Sequence, residues 1–577
     1  MSRLPALAQA GLAAALLVAA AAPAGAANFC ATSVNRGYAW DESSAAFVES
    51  AFTISGITSV IGSRGNCAVL TSNRVVVFDR SQGSWQDSGS ISGLGAVTPS
   101  GGNFAAVVGS DRVRVWHQQT GTWIESPQIS GLTGVVASGG NFAVRGGNFV
   151  HTFNQATGTW DVSPSIASIS SVVGSAGNFF AVTSSAVWAF SRLDSSWTGS
   201  PSISPLLETV TSAGNVAVRS TSNVHVWHEA DGAWQMSPSL SGLAGLVGSD
   251  GNFAAVGSQN VQAWNRETGS WSDSGTLSSL AQVLGSGGNF AVLRSNGVET
   301  WNRGDETWTG SPTISGILAL HGSEGNFAAE TSSHVWAWSQ QSGAWADSGV
   351  ISTLASVLAS GGNFAATDVN GVHTWNRLTG SWTDTSAFST LQEVTGSDGT
   401  FTARVSNRVH AWNGSGWVAS PILSPPITVV DSGGNVAAQV SNRVHTWNRA
   451  TGVWTQSDQW SNLESVAGAD GNFGAKRDNR LHGWDRTTSA WSQTATTLST
   501  PSDHVPTELP LCLPDTCTPP EGQCGFCNPD LGCVSYEPQI CGIQAPLVPA
   551  SPPLARLVLV AVALGAAWWT LRRSPAR

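Results

Sequence analysis

A unit of 37 residues recurs thirteen times along this chain, and few folds can satisfy that arithmetic. The register is set by Gly-Asn-Phe. Its Asn position falls at Asn28, Asn66, Asn103, Asn141, Asn178, Asn215, Asn252, Asn289, Asn326, Asn363, Thr400, Asn435 and Asn472. The spacing is 37 almost throughout, with 38 at the first and third steps and 35 before Asn435. Phe follows in ten copies, with Cys67, Val216 and Val436 in the others. About twelve residues further on comes an aromatic, and seven beyond that a second. The clearest example is Trp375-Asn376-Arg377-Leu378-Thr379-Gly380-Ser381-Trp382, and the same pairs recur as Trp264 and Trp271, Trp301 and Trp308, and Trp447 and Trp454. One copy is short: Trp412 and Trp417 are only five apart.

Each copy reads as four short strands. Strand a is the segment around Leu354 to Leu358, b is Asn363 to Ala366, c is Val372 to Trp375, and d starts at Trp382. Arg-x-Thr-Gly joins c to d and suits a type I turn with Gly in the left-handed position. A seven-residue gap also fits a helix, but the Gly between the tryptophans and Ser-Pro pairs such as Ser311-Pro312 exclude one. Four strands in each short repeat predict an all-β β-propeller, because a small sheet has two apolar faces that only neighbouring sheets can cover. The Trp stripe is then packing first, with Ala365-Ala366 letting sheets approach and aromatics filling the outer part. Thirteen copies exceed the usual four to eight blades. Two tandem propellers, of six and seven blades, are expected; one very large ring or an open solenoid are the alternatives. The first copy begins on strand b, so another segment should supply its strand a and close the ring.

The ends carry different signals. Residues 1–27 read as a signal peptide: Arg3, an apolar stretch from Leu7 to Ala22, then small residues to Ala27. The array spans 28–500 and starts where that leader stops. Residues 501–545 hold Cys512, Cys517, Cys524, Cys527, Cys533 and Cys541, expected as a disulfide-stapled stalk in an exported chain. Zinc at Cys524 and Cys527 is the alternative. Cys30 and Cys67 lie in strand b of adjacent copies, one position out of register, which fits a disulfide between the first two blades. A Pro-rich linker (546–556) precedes an apolar segment (557–571), and 572–577 is a basic tail. That segment is expected to anchor the chain in a membrane, with the body outside and the tail on the cytoplasmic side.

The stretch Val75-Val76-Val77-Phe78-Asp79-Arg80-Ser81-Gln82-Gly83-Ser84-Trp85 resembles bacterial secreted FG-GAP-like repeats, related in fold to the integrin α-chain propeller. The resemblance implies a propeller over most of 28–500. It does not bring calcium with it, since the Asp-rich loop of those blades is absent and Asp250-Gly251-Asn252 is too short to replace it. The tail, with Val548-Pro549-Ala550-Ser551-Pro552, Leu557 to Leu571 and Arg572-Arg573, resembles exosortase-type sorting signals. That likeness implies a tail that can be cut after export. Thr-Gly-x-Trp is also similar to blades of pyrroloquinoline-quinone enzymes, but no other residue supports that cofactor, and none is expected.

Charge and chemistry narrow the function. The net charge of −11 argues against a nucleic-acid partner, and with a single Lys, Lys476, almost all the basic charge is Arg. No nucleophile elbow, His-Glu-x-x-His, paired carboxylates or phosphate loop is present. His recurs two residues before the c-strand aromatic (His151, His225, His373, His410, His445, His482), yet Tyr38, Val76 and Trp188 also stand there, so a metal site is not expected. The turn arginines Arg266, Arg303, Arg377, Arg449 and Arg486 should share one rim, as candidate ligands for acidic groups. The expected function is an exported, surface-anchored, non-enzymatic binding, adhesion or scaffold module, whose partner is a protein or glycan at the cell surface. A lectin-like carbohydrate binder is the first alternative, and a propeller enzyme acting on an extracellular polymer the second.

Overall fold

The computed structural model describes residues 29–502, apart from 43, 370, 385–387, 389, 495–497 and 499–500. Beyond these it describes the backbone of three strands: Val505–Pro506, Cys524–Asn528 and Gly532–Tyr536. The expected signal peptide, Pro-rich linker, apolar segment and basic tail lie outside the described residues, as do Cys512, Cys517 and Cys541. Cys524–Asn528 and Gly532–Tyr536 form an antiparallel hairpin in which Cys527 is opposite Cys533. Among the described residues no helix is long and apolar enough to cross a membrane.

Thirteen four-stranded antiparallel sheets follow one another, one per repeat. In blade 10 the strands are Ser356–Ser360, Asn363–Thr367, Val372–Asn376 and Ser381–Asp384. Period-two alternation decides what each face carries. Phe364, Trp375 and Trp382 are cross-strand partners in one row. That row, with Ala366, packs against Ala328, Val335 and Ala337 of blade 9. Other joints repeat this contact of an aromatic row on an Ala/Val row. The Phe and Trp rings lie tilted, their centroids 5.6 Å apart in blade 10 and 5.9 Å in blade 7.

The expectation of two tandem propellers is corrected: the blades make one closed ring. Blade 13 meets blade 1, with Leu481 and Leu498 against Ala31 and Tyr38, and Ala469 against Phe29 and Trp40. The clasp is where the sequence requires it. Val505–Pro506 supplies the missing strand a, pairing Cys30 with Val505 and Phe29 with Pro506. Large residues occupy both the inner strand (Leu284, Leu320) and the outer strands (Trp338, Trp345) of the joint between blades 8 and 9. At the joint of blades 1 and 2, Cys30 and Cys67 form a disulfide, Cα to Cα 5.9 Å.

Candidate functional site

Strand direction alternates, so the a–b and c–d turns share one face of the ring and the b–c turns lie on the other. The five turn arginines are on the first face, and the ring's own carboxylates hold them. Arg303 Nη1 is 2.6 Å from Asp250 Oδ2, and Arg266 Nη1 is 3.6 Å from Asp250 Oδ1. Arg377 pairs with Glu324, Arg449 with Asp398 at 3.3 Å, and Arg486 with Glu42 at 2.9 Å and Asp470 at 3.6 Å. Their stems cover the a–b turns. A Cβ on Gly288, whose φ is +87°, would meet Arg303 Cδ at 2.6 Å. An acidic ligand on this rim would have to displace partners already in place.

The tryptophans are placed as packing. Trp264, Trp301, Trp375 and Trp447 are fully buried, and Trp271, Trp308, Trp382 and Trp454 half-buried. Trp382 Nε1 donates to Ala346 O at 3.1 Å and Trp454 Nε1 to Val418 O at 3.3 Å, each a bond to the preceding blade.

The residue that sequence reasoning used only as a ruler turns out to fasten the ring. Asn252 is 1% exposed, and its amide works in two directions. Oδ1 accepts from Arg266 N at 2.8 Å within blade 7, and Nδ2 donates to Gly288 O of blade 8 at 2.7 Å. Gly288 N in turn donates to Ser249 Oγ at 2.9 Å. The Asn-to-Gly bond recurs in ten blades, at 2.6 to 3.0 Å. The signal was visible as an Asn in all copies but one, in most of them with Gly before it and Ser three residues earlier. What was missing was the idea that a buried amide must satisfy both ends.

Blade 11 breaks the pattern. Thr400 replaces the Asn, and the c–d turn has shrunk to Asn413-Gly414-Ser415-Gly416, with Asn413 Oδ1 accepting from Ser415 N and Gly416 N, both at 3.0 Å. The two changes belong together. Thr400 Oγ1 shares its single proton between Ser397 O at 2.7 Å and Gly434 O at 3.1 Å, and a hydroxyl is too short to reach a c–d turn as well.

The short turn leaves a cavity of about 360 Å³ between blades 10 and 11. Thr374, Thr383, Asp384, Phe388, His410 and Trp417 are among its lining residues. Phe388 lies 4.7 Å from the His410 ring and 5.5 Å from Trp417, edge to face with the indole. Asp384, 70% exposed at its side chain, bonds His373 Nδ1 at 2.6 Å. Burial, with Arg408 adding to it, holds His410 below the ordinary imidazole range. The cleft therefore offers aromatic surface, hydroxyls, a carboxylate and an uncharged imidazole. A second cavity, of about 270 Å³ between blades 1 and 2, is lined by Phe52, Ile54, Arg74 and Asp87. Its Arg74 and Asp87 already pair with each other at 3.0 Å.

No family model matches the chain, and no curated protein matches it. Among solved structures, it is similar to a protein described as the extracellular domain of a one component system from B. thetaiotaomicron. That likeness has 10% identity and a TM-score of 0.20, and covers 91% of this chain and 82% of that one. It is also similar to PorZ, a bacterial surface component of the type-IX secretion system of Porphyromonas gingivalis, with 11% identity and a TM-score of 0.19, covering 82% of this chain and 87% of that one.

Proposed function

We propose that the chain is an exported ring, held at the cell surface by its C-terminal segment, that acts by binding rather than catalysis, and that the cleft between blades 10 and 11 takes a saccharide. The observation that carries this is a coincidence of place. The one repeat with a shortened turn is also the one whose joint opens onto Phe388, His410 and Trp417. Aromatic faces suit the C–H faces of a sugar ring, and Asp384, Thr374 and Thr383 suit its hydroxyls. Export is supported by the leader-like first 27 residues and by the Cys30–Cys67 disulfide, a bond that persists in oxidising compartments. The more general reading, a scaffold or adhesin without a sugar site, keeps the same ring and gives the cleft no ligand.

A neutral-glycan array probed with the purified full-length protein separates the two. Binding that Trp417→Ala and Phe388→Ala each reduce at least roughly tenfold supports the saccharide site, a stacked aromatic being worth about 1 kcal/mol or more. No binding at high micromolar protein, or binding indifferent to both variants, returns the reading to a scaffold.

A further inference from the structure

Ring closure brings together residues that the sequence holds at opposite ends. Four positions before the c-strand aromatic, at the b–c turn, stand Arg408, Arg443 and Arg480 in blades 11 to 13 and Arg36, Arg74 and Arg112 in blades 1 to 3. Blades 4 to 10 carry Phe149, Ala186, Asn223, Asn260, Gly297, His334 and Gly371 there. Because blade 13 packs on blade 1, the six arginines occupy consecutive blades on the face opposite the turn arginines.

The two halves of this arc differ in what faces them. In blades 1 to 3 the outer strand ends on Glu49, Asp87 and Glu125, which pair with Arg36 at 3.4 Å, with Arg74 at 3.0 Å and with Arg112. In blades 11 to 13 the same register position is Ala419, Gln456 and Gln493, opposite His410, His445 and His482. Arg408 donates to Ser420 O at 3.0 Å, Arg443 to Gln456 Oε1 at 3.3 Å and Arg480 to Thr494 O at 3.3 Å. None of the three has a carboxylate partner among the described residues. The other charges of these blades on this face cancel locally: Arg404 with Glu393 at 3.2 Å, Lys476 with Glu464 at 3.0 Å, Arg477 with Asp478 at 3.8 Å. Asp458, on the connection leaving blade 12, pairs with none of the three arginines. The histidines beside them are held neutral by burial, with Arg408, Arg443 and Arg480 adding to the effect, so they neither cancel nor enlarge the charge near neutral pH.

We propose that this row of three arginines binds an acidic polysaccharide, one carboxylate-bearing stretch to each blade. Equivalent positions in adjacent blades repeat along the ring, as acidic groups repeat along a uronic-acid chain. The guanidiniums are half-buried and oriented by neutral acceptors, so they keep donors for a carboxylate and lose little freedom in using them. One cation per blade on a body of net charge −11 suits a sparse polyanion, and repels one as dense as duplex DNA. The proposal rests on export for its setting and is independent of the cleft.

The test uses the purified full-length protein and polygalacturonate, with uncharged dextran and duplex DNA as comparisons. Polygalacturonate should bind in low salt, weaken as salt is added, and lose affinity roughly tenfold or more in the triple variant Arg408→Gln, Arg443→Gln, Arg480→Gln. The double variant Arg74→Gln, Arg112→Gln, whose arginines are already neutralised, should bind as the unaltered protein does. An unchanged triple variant, an equal loss in the double variant, or equal binding of dextran or DNA would overturn the proposal. A thermal melt of the triple variant matching the unaltered protein excludes unfolding as the cause of a loss. Success here with an empty neutral-glycan array would leave the arginine row standing and remove only the cleft.

Discussion

Arg486 of the last blade reaches Glu42 of the first, Nε to Oε1 at 2.9 Å, across 444 residues of chain. Ser492 Oγ bonds Ala45 O beside it at 2.8 Å, so the closing joint is held on its outer side as well as by the clasp. This joint also carries a steric signature. Gly483 is the only glycine at its c-strand position, where other blades have residues such as Ala263 or Thr374. A Cβ there would stand 2.4 Å from Cε3 of the fully buried Trp40. Gly483→Ala should therefore cost about 2 to 3 kcal/mol by overpacking, read as a lower thermal midpoint. An unchanged midpoint would mean that blades 13 and 1 are not in contact.

Asn252→Ala leaves the buried Gly288 O and the half-buried Arg266 N without these partners. Orphaning the buried acceptor should cost about 1 to 3 kcal/mol. Thr400→Ala breaks one interblade bond instead of a two-ended bracket and should cost less. Denaturant midpoints of the two variants, compared at equal slope, check the order.

The Cys30–Cys67 bond closes a 37-residue separation between blades 1 and 2. Cys30→Ala with Cys67→Ala should destabilise the ring by about 2 to 4 kcal/mol through the freer unfolded chain. Reduction of the unaltered protein should reproduce the shift. Equal stability of the oxidised and reduced forms would count against the bond.

Acid should weaken the ring through His482. Trp460 stacks on this imidazole at 4.3 Å, and burial, with Arg477 and Arg480 adding, pushes its pKa from 6.5 to about 4. Above pH 6.5 it is neutral folded or unfolded and contributes no pH dependence. Between 6.5 and 4 the unfolded chain takes up a proton that the folded ring does not. Stability therefore falls across that window, by about 3 kcal/mol in all, and levels off below it. His482→Gln should flatten this part of the pH profile. An imidazole titrating near 6.5 by NMR would contradict it.

The repeat made the blades legible because spacing alone fixes which residues alternate into a joint. Trp375 and Trp382 sit as expected, and the clasp followed from a first copy with no strand a. Blade number per ring was not legible, since it depends on the angle at a joint. The residues that meet at one joint, such as Leu284, Leu320, Trp338 and Trp345, lie far apart in sequence. The turn arginines lie in c–d turns. Their ion partners were hidden, because Arg377 is joined to Glu324 and Arg449 to Asp398 over more than fifty residues. The cleft was half visible: the missing turn residues at Trp412 to Trp417 stood out, but not that Phe388 of the connecting segment would line the gap.

The Asn bracket points one way round. In ten blades an amide donor reaches the successor blade, and blade 11 offers the Thr400 hydroxyl instead, much as subunits do in a cyclic oligomer with head-to-tail contacts. No bracket specifies how many blades stand between first and last, and a shallow bend at each joint changes little when one more or one fewer shares the circle. A lineage of such chains could therefore lengthen or shorten by whole repeats through duplication or loss of DNA, provided the clasp and the Gly483–Trp40 joint stay at the two ends. Ring circumference would then be a heritable variable, and the surface on each face would grow with it.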